Sequence, residues 1–380
     1  MTVVNCIADL QALARRRIPR AMYEFADQGS YDELTYRRNR ADLDALRIRG
    51  RVLVDVSQQT LRTSVLGEPI TMPVAIAPTG LAGLFHANGE ILGARAAEAF
   101  GIPFCLSTMS VCSIEDVRSA VTKPFWFQIY LMRDRNFNLE LIQRAQAAQC
   151  SALVVTVDLP VLGVRRRDAK NGLSIPPRLT LANALDIAGR PAWALKVLFG
   201  KRRSFGNVDD LMKRSGGNLN TVSAWIATQF DPSVTWKDIE WIRSVWRGKL
   251  IVKGILDADD ARAACTAGVD ALVVSNHGGR QLDGAASSIS VLPQIVDAVK
   301  DRCEVLFDGG VQSGQDVLKA LALGARTCLI GRTFVYALGA MGEKGVTAAL
   351  DIIRSELQVS LALAGVTDVQ RIDRSSILHS

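Results

Sequence analysis

The chain has 380 residues, 48% of them hydrophobic and 22% charged, with a formal net charge of +7. This composition excludes a disordered or low-complexity chain and supplies apolar material for a large core. No apolar stretch reaches the roughly 18 residues of a membrane-crossing helix, the N-terminus MTVVNCIADLQALARRR lacks the apolar segment of a secretory signal, and the seven cysteines show neither CxxC nor metal-like Cys/His spacing. A reduced cytoplasmic protein without disulfides or a bound metal is therefore expected. The positive charge suits an anionic substrate or surface. No nucleic-acid motif accompanies it, so no nucleic-acid partner is expected.

Residues 1–72 read as mainly helical and precede eight short apolar runs. These are PVAIAP (73–78), PFCLST (103–108), WFQIY (126–130) and ALVVTVD (152–158), then LIVKG (250–254), ALVVSN (271–276), EVLFDGG (304–310) and TCLIGR (327–332). Continuous hydrophobicity predicts strands buried on both faces, as in parallel sheets. The intervals read as helices. SIEDVRSA opens on Ser113 with Asp116 three residues later, a capping-box pattern. DADDARAACTAG runs from Asp257 to Gly268, and SGQDVLKALALG from Ser313 to Gly324. A polar cap and a glycine stop, repeated between strands, describe βα units. Eight such units predict an α/β fold, a TIM (β/α)8 barrel over about residues 73–365, within a single domain of residues 1–380. A doubly wound open sheet is the alternative, disfavoured because no GxGxxG follows the first strand. Residues 159–249 interrupt the repeat where a few residues are usual. An insertion after the C-terminal end of a strand lies over the mouth of a barrel, where function sits.

The runs end in polar residues: Thr79, Ser107, Gln128 with Tyr130, Thr156 with Asp158, Lys253, His277, Asp308 and Arg332. A barrel brings these ends to one face, and burying them unpaired costs roughly several kcal/mol each, so their convergence predicts an active site. Gly309, Gly310 and Gly331 allow backbone N–H groups to approach an anion, and Arg332 can hold a phosphate as a fork; the alternative is that the glycines only make tight turns. Lys253 either stabilises negative charge on a reduced cofactor ring or reaches solvent. His277, one of three histidines, is the only one at a strand end, in SNHGGRQLDG (275–284). Histidine is the commonest base near neutral pH. Gly278 and Gly279 permit a sharp turn that returns Arg280 to the same pocket. A base beside a guanidinium suits a carboxylate substrate. Asp158 is a candidate to accept a hydrogen bond from one ring nitrogen of His277 and fix its tautomer. Arg165, in GVRRRD, is either a second carboxylate clamp or part of a solvated basic patch.

SNHGGRQLDG resembles the active-site signature of the FMN-dependent 2-hydroxy acid dehydrogenase/oxidase family, and the likeness runs from RAMYEFADQGS to IGRTF. In LSTMSVCSIEDV, FWFQIYLMRDR, FDPSVTWKDIEWIR and VKGILDADDAR it is nearest to the quinone-linked bacterial branch that oxidises L-lactate. The resemblance implies FMN as cofactor, a homotetramer, and oxidation of an L-2-hydroxy acid, L-lactate foremost, to the 2-oxo acid. It implies His277 as base, Asp158 as its partner, and Arg165 and Arg280 as carboxylate ligands. Tyr23 and Tyr130 match substrate-contacting tyrosines. Ala77, Pro78, Thr79, Ser107, Gln128, Thr156, Lys253, Ser275, Asp308, Gly309, Gly310, Gly331 and Arg332 match FMN-binding positions.

The sequence departs from the family at Gln312, where arginine usually helps bind the FMN phosphate. It departs again at Met109, which is tryptophan in plant glycolate oxidases. Gly80 stands where several oxidases have alanine. No haem-binding segment precedes the barrel, so no fused cytochrome is expected. The base removes either the hydroxyl proton as hydride leaves, or the carbon-bound proton. The electron acceptor is quinone or another respiratory acceptor. In the insertion, Lys196, Lys201, Arg202, Arg203, Lys213 and Arg214, with Trp193, Trp225, Trp236, Trp241 and Trp246, suit peripheral docking on the inner face of the cell membrane. The alternative is that the tryptophans fill a core and the charges are solvated. The rival functions are an oxidase using oxygen, a mandelate-type dehydrogenase, an FMN-dependent isomerase and a non-catalytic flavin-binding barrel.

Overall fold

Eight short, β-branched-rich segments, each too apolar for a solvent-facing strand, pair side by side in the computed structural model of the chain, which describes residues 3–172, 180–198, 200, 202, 204–214 and 228–378. They are β1 (Val74–Ile76), β2 (Cys105–Ser107), β3 (Trp126–Ile129), β4 (Ala152–Thr156), β5 (Lys249–Ile255), β6 (Ala271–Val274), β7 (Glu304–Phe307) and β8 (Thr327–Ile330). Every neighbouring pair is parallel, β8 pairs with β1, and a parallel bridge from Ile76 to Phe104 closes the ring. The expected barrel is present.

Side chains alternate across each strand. Ala75, Cys105, Trp126, Val154, Ile251, Val273, Leu306 and Leu329 point inward and pack together. Their neighbours Ile76, Leu106, Phe127, Val155, Val252, Leu272, Phe307 and Ile330 join the layer between strands and helices. Both sets are buried, which is why the runs read as continuous. The helices between strands begin where the caps predict. Ser113 Oγ accepts from the Asp116 amide at 3.1 Å, and the Asp116 carboxylate accepts from the Ser113 amide at 3.0 Å. Asp257 and Ser313 cap their helices in the same sense.

The N-terminal region departs from its mainly helical reading. Three helices, α1 (Ile7–Arg17), α2 (Arg20–Ala26) and α3 (Leu34–Ala45), are followed by extended structure. Thr63–Val65 and Glu68–Ile70 form a hairpin. Its two-residue turn, Leu66 and Gly67, has φ of 54° and 84°, the mirror-image geometry that matches strand twist. Val65, Leu66 and Ile70 complete the interior cluster, and the Leu66 amide donates to both Glu304 carboxylate oxygens at 3.0 Å. Glu304 begins β7, so the hairpin fills the end of the barrel where strands start. Arg47–Ile48 also pairs antiparallel with Ile377–Leu378.

Candidate active site

Two residues beyond the last apolar inward position, the same alternation presents Ala77, Ser107, Gln128, Thr156, Lys253, Ser275, Asp308 and Gly331 to the axis. Ser107 Oγ donates to Gln128 Oε1 at 3.0 Å. Lys253 Nζ donates to Ser275 Oγ at 2.9 Å and pairs with Asp308 at 3.0 Å. Burial works against the Lys253 charge, but Asp308 and then Asp158 hold its pKa above the ordinary value. Lys253 is therefore a buried cation, and the reading in which it reaches solvent does not hold. Above this layer lies a cavity of about 830 Å³, walled by Ala77, Pro78, Thr79, Lys253, Asp308, Gly309, Gly310, Gly331 and Arg332 on one side.

His277 stands at the cavity wall with φ of 56°, a left-handed conformation that typically costs about 1–3 kcal/mol outside glycine. Local bonds hold it there. His277 Nδ1 lies 2.8 Å from Asp158 Oδ1, and its amide donates to Ser275 Oγ at 3.1 Å. The turn that follows needs glycine: a Cβ on Gly279, at φ of 73°, would stand 2.5 Å from the Tyr36 amide nitrogen of α3. Burial lowers the His277 pKa, and Asp158 opposes that shift. Burial acts to raise the Asp158 carboxyl, but His277 and then Lys253 hold it below its ordinary value. The pair is thus a neutral imidazole beside a carboxylate, with Nε2 left for a reactant.

Arg165, Arg280 and Arg332 all line the cavity. Arg280 donates to the Phe25 carbonyl at 2.7 Å, and Arg332 to the carbonyls of Ala26 and Gln28 at 2.9 and 2.6 Å. Both guanidiniums therefore sit on the carbonyl-rich C-terminus of α2. Burial lowers Arg165, and burial together with Arg165 and Arg332 draws Arg280 well below its ordinary value. Arg165 Nε is buried without a partner. The nearby acid is Asp168, which burial raises. Asp168 offsets the charges of Arg165 and Arg280 only in part, so the cluster suits a further anion. The cluster also removes the reading of Arg165 as part of a solvated patch.

Tyr130 lines the same cavity, and burial, then Asp158, pushes its phenol up to about 12. Tyr23 does not join it. Its hydroxyl accepts from Gln11 of α1 at 3.1 Å, and its ring stacks on Tyr336. Two positions along a helix differ by roughly 200°, so Tyr23 and Phe25 face opposite ways, and Phe25 is the residue at the cavity, its ring 5.1 Å from the Arg280 guanidinium.

Sequence reasoning missed further residues. Asn39 of α3 and Asn276 exchange two amide hydrogen bonds at 2.7 and 2.8 Å, both buried, and Asn276 Oδ1 also accepts from the Gly279 amide at 3.0 Å. This pair fixes the turn carrying His277. Arg40 binds Asp316 through two bonds of 2.7 Å and the Gly310 carbonyl at 3.0 Å, bracing the glycine rim beside Gln312. Asn39 and Arg40 lie in YRRNRADL, which carries no motif. From the insertion, Phe205 and Phe230 reach the cavity.

The residues fit FMN. Gln128 Nε2, a donor, and Asp308 Oδ1, an acceptor, are buried without partners. They suit the polar edge of a flavin, and the rim at Gly309, Gly310, Gln312 and Gly331 suits a phosphorylated tail. A barrel with a neutral base beside part-buried guanidiniums, next to a flavin-sized cleft, suits the oxidation of an organic acid. The chain matches the FMN-dependent dehydrogenases over residues 14–379. It is 49% identical to an L-lactate dehydrogenase of Caulobacter vibrioides (strain NA1000 / CB15N) over 374 residues, 98% of this chain and 97% of that one. An L-lactate dehydrogenase of Stenotrophomonas maltophilia (strain R551-3) is 46% identical over 378 residues, 99% of each. The crystal structure of the monotopic membrane protein (S)-mandelate dehydrogenase superposes with a TM-score of 0.95 at 35% identity, covering 100% of both chains. The chain belongs to the FMN-dependent dehydrogenase family, and FMN is its cofactor.

Replacing Asn39 with Ala is expected to remove two hydrogen bonds from the buried Asn276 amide, leaving those to the Gly279 amide and the Ala286 carbonyl, and to lower the unfolding free energy by about 2 kcal/mol, measured by urea denaturation. Turnover should fall with it, because the His277 turn loses its brace; unchanged stability and turnover would remove Asn39 from that role.

Proposed function

We propose that this chain oxidises an L-2-hydroxy acid, L-lactate foremost, to the 2-oxo acid and passes the electrons to quinone or another respiratory acceptor. The observation that carries the reading is the neutral His277, tied to Asp158 at 2.8 Å, beside the part-buried cations Arg165 and Arg280 that line the same cavity. The L-lactate dehydrogenases at 46–49% identity support lactate as the substrate.

Arg165 and Arg280 bind the substrate carboxylate, and the anion relieves their mutual repulsion while it orients C2. Tyr130 stays protonated at neutral pH and donates to a substrate oxygen. His277 Nε2 accepts a proton from the C2 hydroxyl or from C2 itself. Asp158 stabilises the imidazolium that results. The two electrons leave C2, and accepting them is the chemistry that FMN would supply when bound. Lys253, a buried cation at the cavity wall, favours negative charge gathering beside it.

The acceptor reading rests on the insertion. Trp193 is buried, with its Nε1 donating to the Leu84 carbonyl at 2.7 Å, and Trp246 is buried with Nε1 on the Lys249 carbonyl at 2.8 Å. Trp236 and Trp241 pack against the core. Among the cations, Arg202 is held by Asp116. Lys201, Arg203 and Trp225 lie outside the described residues. The described tryptophans therefore fill a core, and the outward apolar groups are leucines instead: Leu181, Leu185 and Leu195 are 78%, 65% and 66% exposed, with Lys196 also exposed. Exposed leucines beside a cation suit the surface of an anionic bilayer, and a mandelate dehydrogenase of the same fold is a monotopic membrane protein. No helix among the described residues is long and apolar enough to cross a membrane.

The test of the reaction is flavin absorbance without oxygen. L-lactate should bleach the protein rapidly, and His277→Gln should keep the yellow colour while bleaching at least about 100-fold more slowly. A yellow protein inert to L-lactate and to other 2-hydroxy acids would refute the reading. Readmitting oxygen or a soluble quinone then identifies the acceptor.

The pH dependence has a definite sign. The reactive form is neutral His277, and burial lowers its pKa, so the rate of bleaching should be flat near neutral pH and fall only below the ordinary imidazole value of about 6.5. Asp158 opposes that shift. Asp158→Asn should therefore move the acid limb to still lower pH while slowing the plateau by about 100-fold or more. An acid limb that moves upward would contradict the assignment.

The double change Leu181→Asp with Leu185→Asp should sharply reduce co-sedimentation with vesicles containing anionic lipid, at unchanged bleaching by L-lactate. Equal sedimentation of both proteins would count against this face as the membrane contact.

A further inference from the structure

We propose that Phe230 determines the size of substrate side chain that the site admits and, at the same time, positions Tyr130. This inference rests on the reading of the site as one for 2-hydroxy acids. The cavity has two unlike ends. Arg165, Arg280 and Asp168 make one polar end, and Leu81, Met109, Leu159, Leu162, Phe205 and Phe230 line its apolar parts. A carboxylate seated on the arginines leaves the substituent of C2 directed away from them, toward apolar wall. Tyr130 stands between the two ends, and Phe230 is the wall residue that touches it. The two rings are 5.3 Å apart at 85°, edge to face.

Phe230 is held as firmly as a strand residue, although it belongs to the insertion. It forms an antiparallel bridge with Met132, just beyond β3. On either side, the Arg133 amide donates to the Gln229 carbonyl at 2.9 Å and the Asp231 amide to the Leu131 carbonyl at 3.3 Å. Arg133 Nε adds a bond to the Thr228 carbonyl at 3.0 Å, and Arg135 pairs with Asp231 at 3.3 Å. The ring is only 5% exposed. The insertion thus returns to the barrel by zipping onto the segment that follows Tyr130. With its backbone pinned and its side chain buried against Tyr130, the ring has little room to swing aside for a bulky substituent, so the site favours a small aliphatic group, as in lactate. In van der Waals terms the ring fills the space that a phenyl or branched side chain would need.

The experiment compares the FMN-loaded wild type with Phe230→Ala, Phe230→Leu and Phe230→Trp. Flavin reduction is measured with L-lactate, L-2-hydroxyisocaproate and (S)-mandelate. Binding of the matching 2-oxo acids is measured by their perturbation of the flavin spectrum, which reports the pocket without turnover. In Phe230→Ala the ratio of kcat/KM for mandelate over lactate should rise at least about tenfold, and the affinity ratio of the corresponding 2-oxo acids should follow. Phe230→Trp should lower both ratios. Phe230→Leu, which keeps most of the volume but no ring edge, should hold the affinity ratio near wild type while lowering kcat for every substrate, the mark of a displaced Tyr130. Ratios that stay within about twofold of wild type in both the Ala and Trp proteins, with bound flavin retained, would overturn the proposal. A wild type that none of the acids reduces would instead defeat the underlying reading of the site.

Discussion

A closed parallel barrel has one inside, and the two-residue period of its strands decides which side chains reach it. That constraint governs everything at the mouth of this protein. Each strand contributes apolar inward residues until its last step, where in six of the eight the same parity delivers a polar group: Ser107, Gln128, Thr156, Lys253, Ser275, Asp308. A one-residue slip in any strand would send its polar end into the layer packed against helices, where it would have no partner. Lys253 shows how narrow the tolerance is. Its ammonium is buried and stays charged because Asp308 lies 3.0 Å away and Ser275 accepts at 2.9 Å. A buried cation of this kind is tolerable only with both partners in register.

The second organising feature is an imbalance of charge. Three guanidiniums converge on the cavity, and the carboxyl facing them, Asp168, is itself raised by burial. Asp158 and Asp308 are committed to His277 and Lys253. The site therefore holds excess positive charge, relieved in part by the carbonyls at the end of α2. A bound carboxylate removes the repulsion. The favourable free energy of binding is thus concentrated at the atoms that orient C2 toward the base, which is where an oxidising site needs it.

Much of this was legible in the sequence because strand ends are chemically conspicuous. A lysine, a histidine or an aspartate that closes an apolar run has few explanations, and the glycines after His277 betray a turn. The capping pairs Ser113/Asp116, Asp257 and Ser313 marked helix starts by local chemistry alone. What stayed hidden depends on contacts distant in sequence. Asn39 and Asn276 meet across 237 residues, and neither lies in a pattern. Tyr23 and Phe25 illustrate another gap: both are aromatic, two positions apart, and only the orientation of α2 decides which one faces the cavity. The hairpin at 63–70 was masked by its short strands and by a turn, Leu66-Gly67, with only one of its two positive-φ positions occupied by glycine. In the insertion, tryptophans beside cations look membrane-seeking in the sequence, but the described ones pack into or against the core, Trp193 and Trp246 with their N–H groups on backbone carbonyls.

The insertion joins the two halves of the chemistry. The hairpin fills the strand-start end of the barrel with Val65, Leu66 and Ile70, so traffic to the cavity passes the mouth. The segment over that mouth is fastened at two places. Asn207 accepts from the Ile114 amide at 2.9 Å and donates to Ser110 Oγ at 2.9 Å, and residues 228–231 zip onto 131–133. Near each fastening point a phenylalanine, Phe205 or Phe230, faces inward. The helix Leu181–Ala188 and the one that follows it, Pro191–Val197, turn leucines outward. One segment therefore presents apolar groups to both sides, aromatic toward the substrate and exposed leucines toward the surroundings. On the proposed reading, a lipid surface lies against the same end of the barrel from which the 2-oxo acid leaves. An acceptor dissolved in that lipid then reaches the cavity without crossing bulk water.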